Sequence, residues 1–121
     1  MPDVTFGREK RLLTARAFQA VFSDTRYKVA HPHLLLLARP NQFSHPRLGL
    51  VVAKKHIRFA VDRNRVKRVV RDTFRLAQHE ISSIDVVFLV RKGMDKLSPS
   101  EQTELMQNSW QRLYRKMQAG S

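Results

Sequence analysis

The sequence predicts a single α+β domain of order αββαβα, a mixed sheet with helices packed on it. Three observations predict it. Hydrophobic spacing switches between the helical and the strand period along the chain. A length of 121 residues leaves no room for a second core of ordinary size. An apolar share of 42% suffices for one core, so residues 1–121 read as one domain.

Residues 1–11, with Arg8, Lys10 and Arg11 close together and few apolar positions, read as a basic arm of the kind that is disordered when free. Thr14 suits the N-cap of a first helix, and Leu13 can staple onto Phe18. Phe18, Val21 and Phe22 then share one face at i, i+3, i+4. His33 to Arg39 and Leu48 to Lys54 read as strands separated by a loop with Pro40 and Pro46 at its ends, and an antiparallel hairpin is the simplest connection.

From Val61 to Gln78 the pattern is helical, with Val66, Val69, Val70, Thr73 and Ala77 as one buried stripe. Asp85 to Arg91 is a third strand whose β-branched and aromatic content suits a central position with neighbours on both sides. Ser98-Pro99-Ser100-Glu101 supplies an N-cap, a proline at the first helical position and a glutamate at the third, which together make a capping box. The last helix carries Met106, Trp110, Leu113 and Met117 on one face. The second strand, second helix and third strand form a βαβ unit, so its strands are predicted parallel, with the right-handed crossover that such units generally adopt.

Charge narrows the function. Lys and Arg number 23 against 10 Asp and Glu, a net charge of +13, and such an excess repels itself unless a polyanion neutralises it. Nucleic acid is the usual partner. The absence of cysteine excludes disulfides, thiolate zinc sites and cysteine nucleophiles. The opening Met1-Pro2-Asp3-Val4 has no apolar signal region, and the runs Leu34 to Ala38 and Leu48 to Ala53 are too short to cross a bilayer. A cytoplasmic location without a membrane partner is expected. DNA is not the expected partner either, because a helix-turn-helix needs two helices joined by a short turn and the second helix here lies between strands.

The sharpest local feature is Arg63-Asn64-Arg65-Val66-Lys67-Arg68, continuing to Arg71 and Arg75. Asn64, Lys67, Arg68, Arg71 and Arg75 fall at i, i+3, i+4, i+7, i+11, opposite the buried stripe. Arginine forks suit phosphate oxygens, lysine adds a point charge, and the asparagine amide can donate or accept at a base edge or sugar hydroxyl. A merely soluble face mixes signs more evenly, whereas Asp72 alone offers this stripe an opposite charge. Lys54 and Lys55, with His56 and Arg58 beyond, extend the same surface. Phe18 and Phe22 fit either a core face or the border of a groove where unpaired bases stack. No metal site and no protein-based active site are expected. His31 and His33 share one side of an extended segment, but no carboxylate lies nearby in sequence to orient them, and His45, His56 and His79 read as scattered surface residues.

The arginine-asparagine-arginine run, preceded by Leu48-Gly49-Leu50-Val51-Val52-Ala53-Lys54-Lys55, resembles the protein component of bacterial ribonuclease P. The similarity extends to Leu12-Leu13, Phe18-Gln19-Ala20-Val21-Phe22, Arg91-Lys92 and the last helix. The resemblance implies partnership with a large catalytic RNA in removing the 5′ leader from precursor tRNA. Hydrolysis would belong to that RNA and its Mg2+ ions, with no cofactor bound by the protein alone. The protein would improve leader binding and strengthen metal-ion affinity in the complex. By position, Arg63 to Arg68 match the family's motif helix, which faces the catalytic RNA, and Phe18 and Phe22 match the aromatics of a leader cleft between the first helix and the sheet. The resemblance also implies an unusual left-handed βαβ crossover in place of the right-handed one. Leu34-Leu35-Leu36-Leu37 stands where some relatives place an aromatic facing the leader. A structural RNA-binding protein of ribosomal type fits the composition equally well and is the alternative.

Overall fold

The computed structural model describes residues 14–78, 81 and 83–119. The basic arm, the Leu13 staple and His79 lie outside the described residues. The elements are α1 (Ala15–Ser23), β1 (Tyr27–His31), β2 (Leu34–Pro40), β3 (Arg47–Val51), α2 (Ala60–Ala77), β4 (Ile84–Val90), a 3-10 turn (Met94–Lys96) and α3 (Pro99–Ala119).

The expected order holds with one strand added. β1 was not anticipated: it precedes β2 and pairs with it antiparallel, His31 opposite Leu34, across the two-residue turn Pro32-His33. His33 is therefore a turn residue, and the strand begins at Leu34. The sheet order is β1-β2-β4-β3. β3 and β4 run parallel, as the βαβ reading requires, and β2 pairs antiparallel with β4. The expected hairpin between β2 and β3 does not form, because β4 occupies the place between them. Six of the seven β4 residues are buried, so this strand needs a neighbour on each edge and a layer on each face.

Alternation along the strands divides the core between the two faces. One face carries Val29, Leu36, Phe88 and Leu50 in register, with Leu34, Ala38, Leu48, Val86 and Val90 beside them. Against it pack Val66, Val70 and Phe74 of α2 and Met106, Trp110 and Leu113 of α3. Trp110 is only 2% exposed; its indole N–H donates to Thr73 Oγ1 at 2.9 Å, and its ring lies 5.4 Å from that of Phe74. Burial of each such large apolar side chain contributes about 1.5–3 kcal/mol relative to exposure. The other face carries Leu37, Val87, Leu89 and Val51, covered by Ala17, Phe18 and Val21 of α1.

The helix caps follow the sequence reading. Thr14 Oγ1 accepts the Ala17 N–H at 3.1 Å. Ser98 Oγ accepts the Glu101 N–H at 3.2 Å while Glu101 Oε1 accepts the Ser98 N–H at 2.8 Å, closing the capping box at α3.

Candidate nucleic-acid interface

The cationic face is built on the part of the chain that links β3 to α2. Beyond Val51 the backbone makes a turn at residues 54–56, where the N–H groups of His56 and Ile57 both donate to the Ala53 carbonyl at 3.1 Å. Ile57 is wholly buried and pins that turn to the core, leaving Lys54 and Lys55 exposed in it. Lys54 thus lies past the end of the strand rather than within it. Phe59, in the N-cap position of α2, makes no side-chain capping bond, and its carbonyl accepts the N–H groups of Asp62 at 3.1 Å and Arg63 at 3.0 Å.

Along α2, Val66, Val70, Thr73 and Phe74 face the core. Asn64, Arg65 and Arg68 are exposed, and Lys67, Arg71 and Arg75 are half-buried along the helix. Among the described residues, the three ion pairs join Asp24 to Arg26, Asp24 to Arg39 and Asp85 to Arg47. All lie away from α2 and from Lys54 and Lys55. Seven cations, namely Lys54, Lys55, Arg65, Lys67, Arg68, Arg71 and Arg75, therefore stand without an ion-pair partner among the described residues.

Arg63 differs from the rest of the motif. Its Nη1 donates to the carbonyls of Ile57 at 3.1 Å and Arg58 at 2.9 Å, tying the turn to the helix. It lies three residues before the buried Val66, on the core side of the helix.

Phe18 and Phe22 share α1 but not an environment. Phe18 is half-buried against the Val21 and Val87 cluster, whereas Phe22 is 45% exposed. On the α1 side of the sheet, Lys28 and Ala30 of β1 are exposed and Leu35 of β2 is half-buried. Helix α1, nine residues long, leaves that flank open.

The two histidines are brought together, with ring centroids 5.4 Å apart. The partners that orient them come from the backbone: His33 N–H donates to His31 Nδ1 at 3.0 Å, and His33 Nδ1 bonds the Lys92 carbonyl at 2.9 Å. Gly93, at φ 97°, makes room for this ring, since a Cβ there would meet it at 2.5 Å. Burial, then His33 and Arg112, hold the His31 pKa below its ordinary 6.5. Sequence reasoning gave no role to Phe43, Phe59, Val61 and Leu76, all large, apolar and exposed. The signal was the pairing of aromatics with arginines: the Arg47 Cζ lies 4.3 Å from the Phe43 ring centroid, and the Arg58 Cζ 5.4 Å from that of Phe59.

A core-anchored helix with a cationic face that has no ion-pair partner among the described residues, on a mixed sheet with a helix on its other side, defines a small α+β RNA-binding protein. Residues 6–114 match the Ribonuclease P family. The chain is 50% identical over 110 residues to the ribonuclease P protein component of Azotobacter vinelandii, covering 91% of this chain and 85% of that one. It is 48% identical over 115 residues to that of Pseudomonas putida, covering 95% and 86%. The Staphylococcus aureus RNase P protein superposes with a TM-score of 0.74 at 25% identity, covering 88% of this chain and 93% of that one. The Thermotoga maritima RNase P protein gives 0.72 at 29% identity, covering 87% and 96%. The chain belongs to the ribonuclease P protein family and is a subunit of that holoenzyme, which processes the 5′ ends of tRNA.

Proposed function

We propose that the chain is the non-catalytic subunit, that the cationic face of α2 with Lys54 and Lys55 docks on the catalytic RNA, and that the groove between α1 and the sheet holds the 5′ leader of precursor tRNA. The observation that carries this reading is the set of cations on α2 and its entry turn, without ion-pair partners among the described residues and held on an element that the core makes rigid. Phosphates would neutralise that charge.

Among the described residues, no three His, Asp or Glu side chains are grouped to hold a metal ion, and the reading assigns the Mg2+ ions to the RNA. No described helix is long and apolar enough to cross a membrane, and the reading places the subunit in the bacterial cytoplasm with its RNA partners.

Adding the protein to its catalytic RNA at low magnesium should stimulate precursor tRNA cleavage, while the protein alone should leave the substrate intact. Cleavage by RNA-free protein that His31→Ala or His33→Ala abolishes would overturn the non-catalytic assignment. Absence of stimulation would favour a structural role of ribosomal type. In the assembled holoenzyme, Phe18→Ala that still folds should weaken precursor tRNA and leave mature tRNA unchanged. Equal losses for both would return this ring to the core.

A further inference from the structure

The α1 face of the sheet ends in a second cationic assembly, remote from the motif helix in sequence. At the start of β4 the register places Arg39, Asp85 and Arg47 side by side. Asp85 is 5% exposed, and Arg47 grips it with two forked bonds, Nε to Oδ1 at 2.8 Å and Nη2 to Oδ2 at 2.7 Å. Asn41 Nδ2 adds a third bond to Oδ1 at 2.9 Å. The carboxylate thereby holds the guanidinium as a fixed plate, and the Phe43 ring lies over that plate at 4.3 Å. Asn41 Oδ1 accepts the Phe43 N–H at 2.9 Å, so backbone and ring are both held. The ring is nonetheless 48% exposed. A large apolar side chain fixed in place while open to water is a stacking platform without a visible core role.

Beside it runs a groove of about 490 Å³, between Arg16, Ala17 and Ala20 of α1 and the Arg39, Phe43 and Arg47 side. That volume falls in the range of small-ligand sites. Its charge does not cancel. Arg47 is neutralised by Asp85, but Arg16 makes no ion pair among the described residues. Arg39 reaches Asp24 at only 3.5 Å, a carboxylate it shares with Arg26, and its buried Nε has no partner among the described residues. Arg39 is thus loosely held where Arg47 is locked, which leaves it free to turn onto an anion. An aromatic plate with two available guanidinium groups matches a ligand with a flat π-face and a phosphate.

We propose that this groove holds one unpaired RNA nucleotide, its base stacked on Phe43 and its phosphate met by Arg16 and Arg39. The inference rests on the RNA-binding reading above, but neither on the motif helix nor on Phe18. The nucleotide comes from the leader or from an unpaired position of the catalytic RNA, and the two sources separate in one experiment.

Wild type, Phe43→Ala, Phe43→Trp and Arg39→Gln are each assembled with the catalytic RNA, after circular dichroism has shown that they fold. Affinity is measured for the catalytic RNA and, in the holoenzyme, for precursor tRNA with short and long leaders and for mature tRNA. Phe43→Ala should lose about five-fold or more in one of these affinities, as expected for a lost base–aromatic stack. Phe43→Trp should retain it, and Arg39→Gln should lose part of it. A loss confined to long-leader substrate assigns the nucleotide to the leader; a loss in binding the catalytic RNA assigns it there. Unchanged affinities throughout, or a Phe43→Trp variant as weak as Phe43→Ala, would overturn the proposal. A loss in Phe43→Ala with none in Phe18→Ala would leave this groove standing and return the Phe18 ring to the core.

Discussion

Arg63 and Arg65 are two positions apart and chemically identical, yet the helix gives them different work. Arg65 is exposed, whereas Arg63 donates to two backbone carbonyls of the turn before α2. Hydrogen bonds from a charged group contribute about 1.5–3 kcal/mol each where they are well formed, and less where water competes. Arg63→Ala should therefore lower unfolding free energy by roughly 1–3 kcal/mol in urea titrations, while Arg65→Ala should stay within about 0.5 kcal/mol of wild type. A stable Arg63→Ala protein that loses RNA affinity as much as Arg65→Ala would instead make Arg63 a phosphate contact. The motif was legible in the sequence because its residues are contiguous. The division of labour within it was not, because the spacing that sets Arg63 on the side of Val66 does not show that the Ile57 and Arg58 carbonyls of the preceding turn fold back within its reach. The same limit applied to Phe18 and Phe22, whose common spacing hid one half-buried and one exposed ring.

At the scale of elements, helices with caps and strands with long apolar runs were legible, and β1 was not. Its only buried residue is Val29, because its other face, with Lys28 and Ala30, extends past the cover of α1. A single buried position gives no period to detect. The neighbours of β4 were half legible: the βαβ unit announced the parallel partner, but the choice of β4 over β3 as the neighbour of β2 is made by long-range burial. The β1–β2 hairpin is tied to the end of β4 and the turn after it by side chains that reach backbone carbonyls, His33 Nδ1 to that of Lys92 and Arg91 Nη1 to that of His31 at 3.2 Å. His31 Nδ1 accepts an N–H, so its neutral ring carries the proton on Nε2, and protonation of Nδ1 would break that bond. Burial, with His33 and Arg112 nearby, favours the neutral ring in the folded state. Well above the ordinary pKa of 6.5 both states are neutral and the group has no effect. As pH falls through that value the unfolded chain takes up the proton first, so stability drops until the lower folded pKa is passed. Thermal midpoints should fall between about pH 7.5 and 5.5, and His31→Gln should flatten the fall. An identical pH slope in the variant would show that the ring is not the group responsible.

The molecule as a whole carries +13, and among the described residues its ion pairs sit at the α1–β2 corner and around Asp85 rather than on α2. Charge of this size has two opposed consequences in salt. Screening relieves self-repulsion in the free protein, whereas RNA binding weakens because each neutralised phosphate no longer gains as much from releasing its counterion. The first effect acts on every cation in the molecule, and the second only on those at the interface. Each phosphate contact adds roughly 0.7–0.9 to the slope of log affinity against log salt. Arg65, Lys67 and Arg68 carry no ion-pair partner among the described residues, so replacing all three by Ala should leave the fold intact and flatten the slope for the catalytic RNA by about two to three. Arg63 is left in place, so that the turn into α2 stays tied and any change reports contact rather than unfolding. Titrations of wild type and variant from low to moderate salt, with melting curves alongside, read both effects at once. A slope unchanged in a variant that still folds would make the basic helix a solvated face and move the RNA interface elsewhere on the molecule.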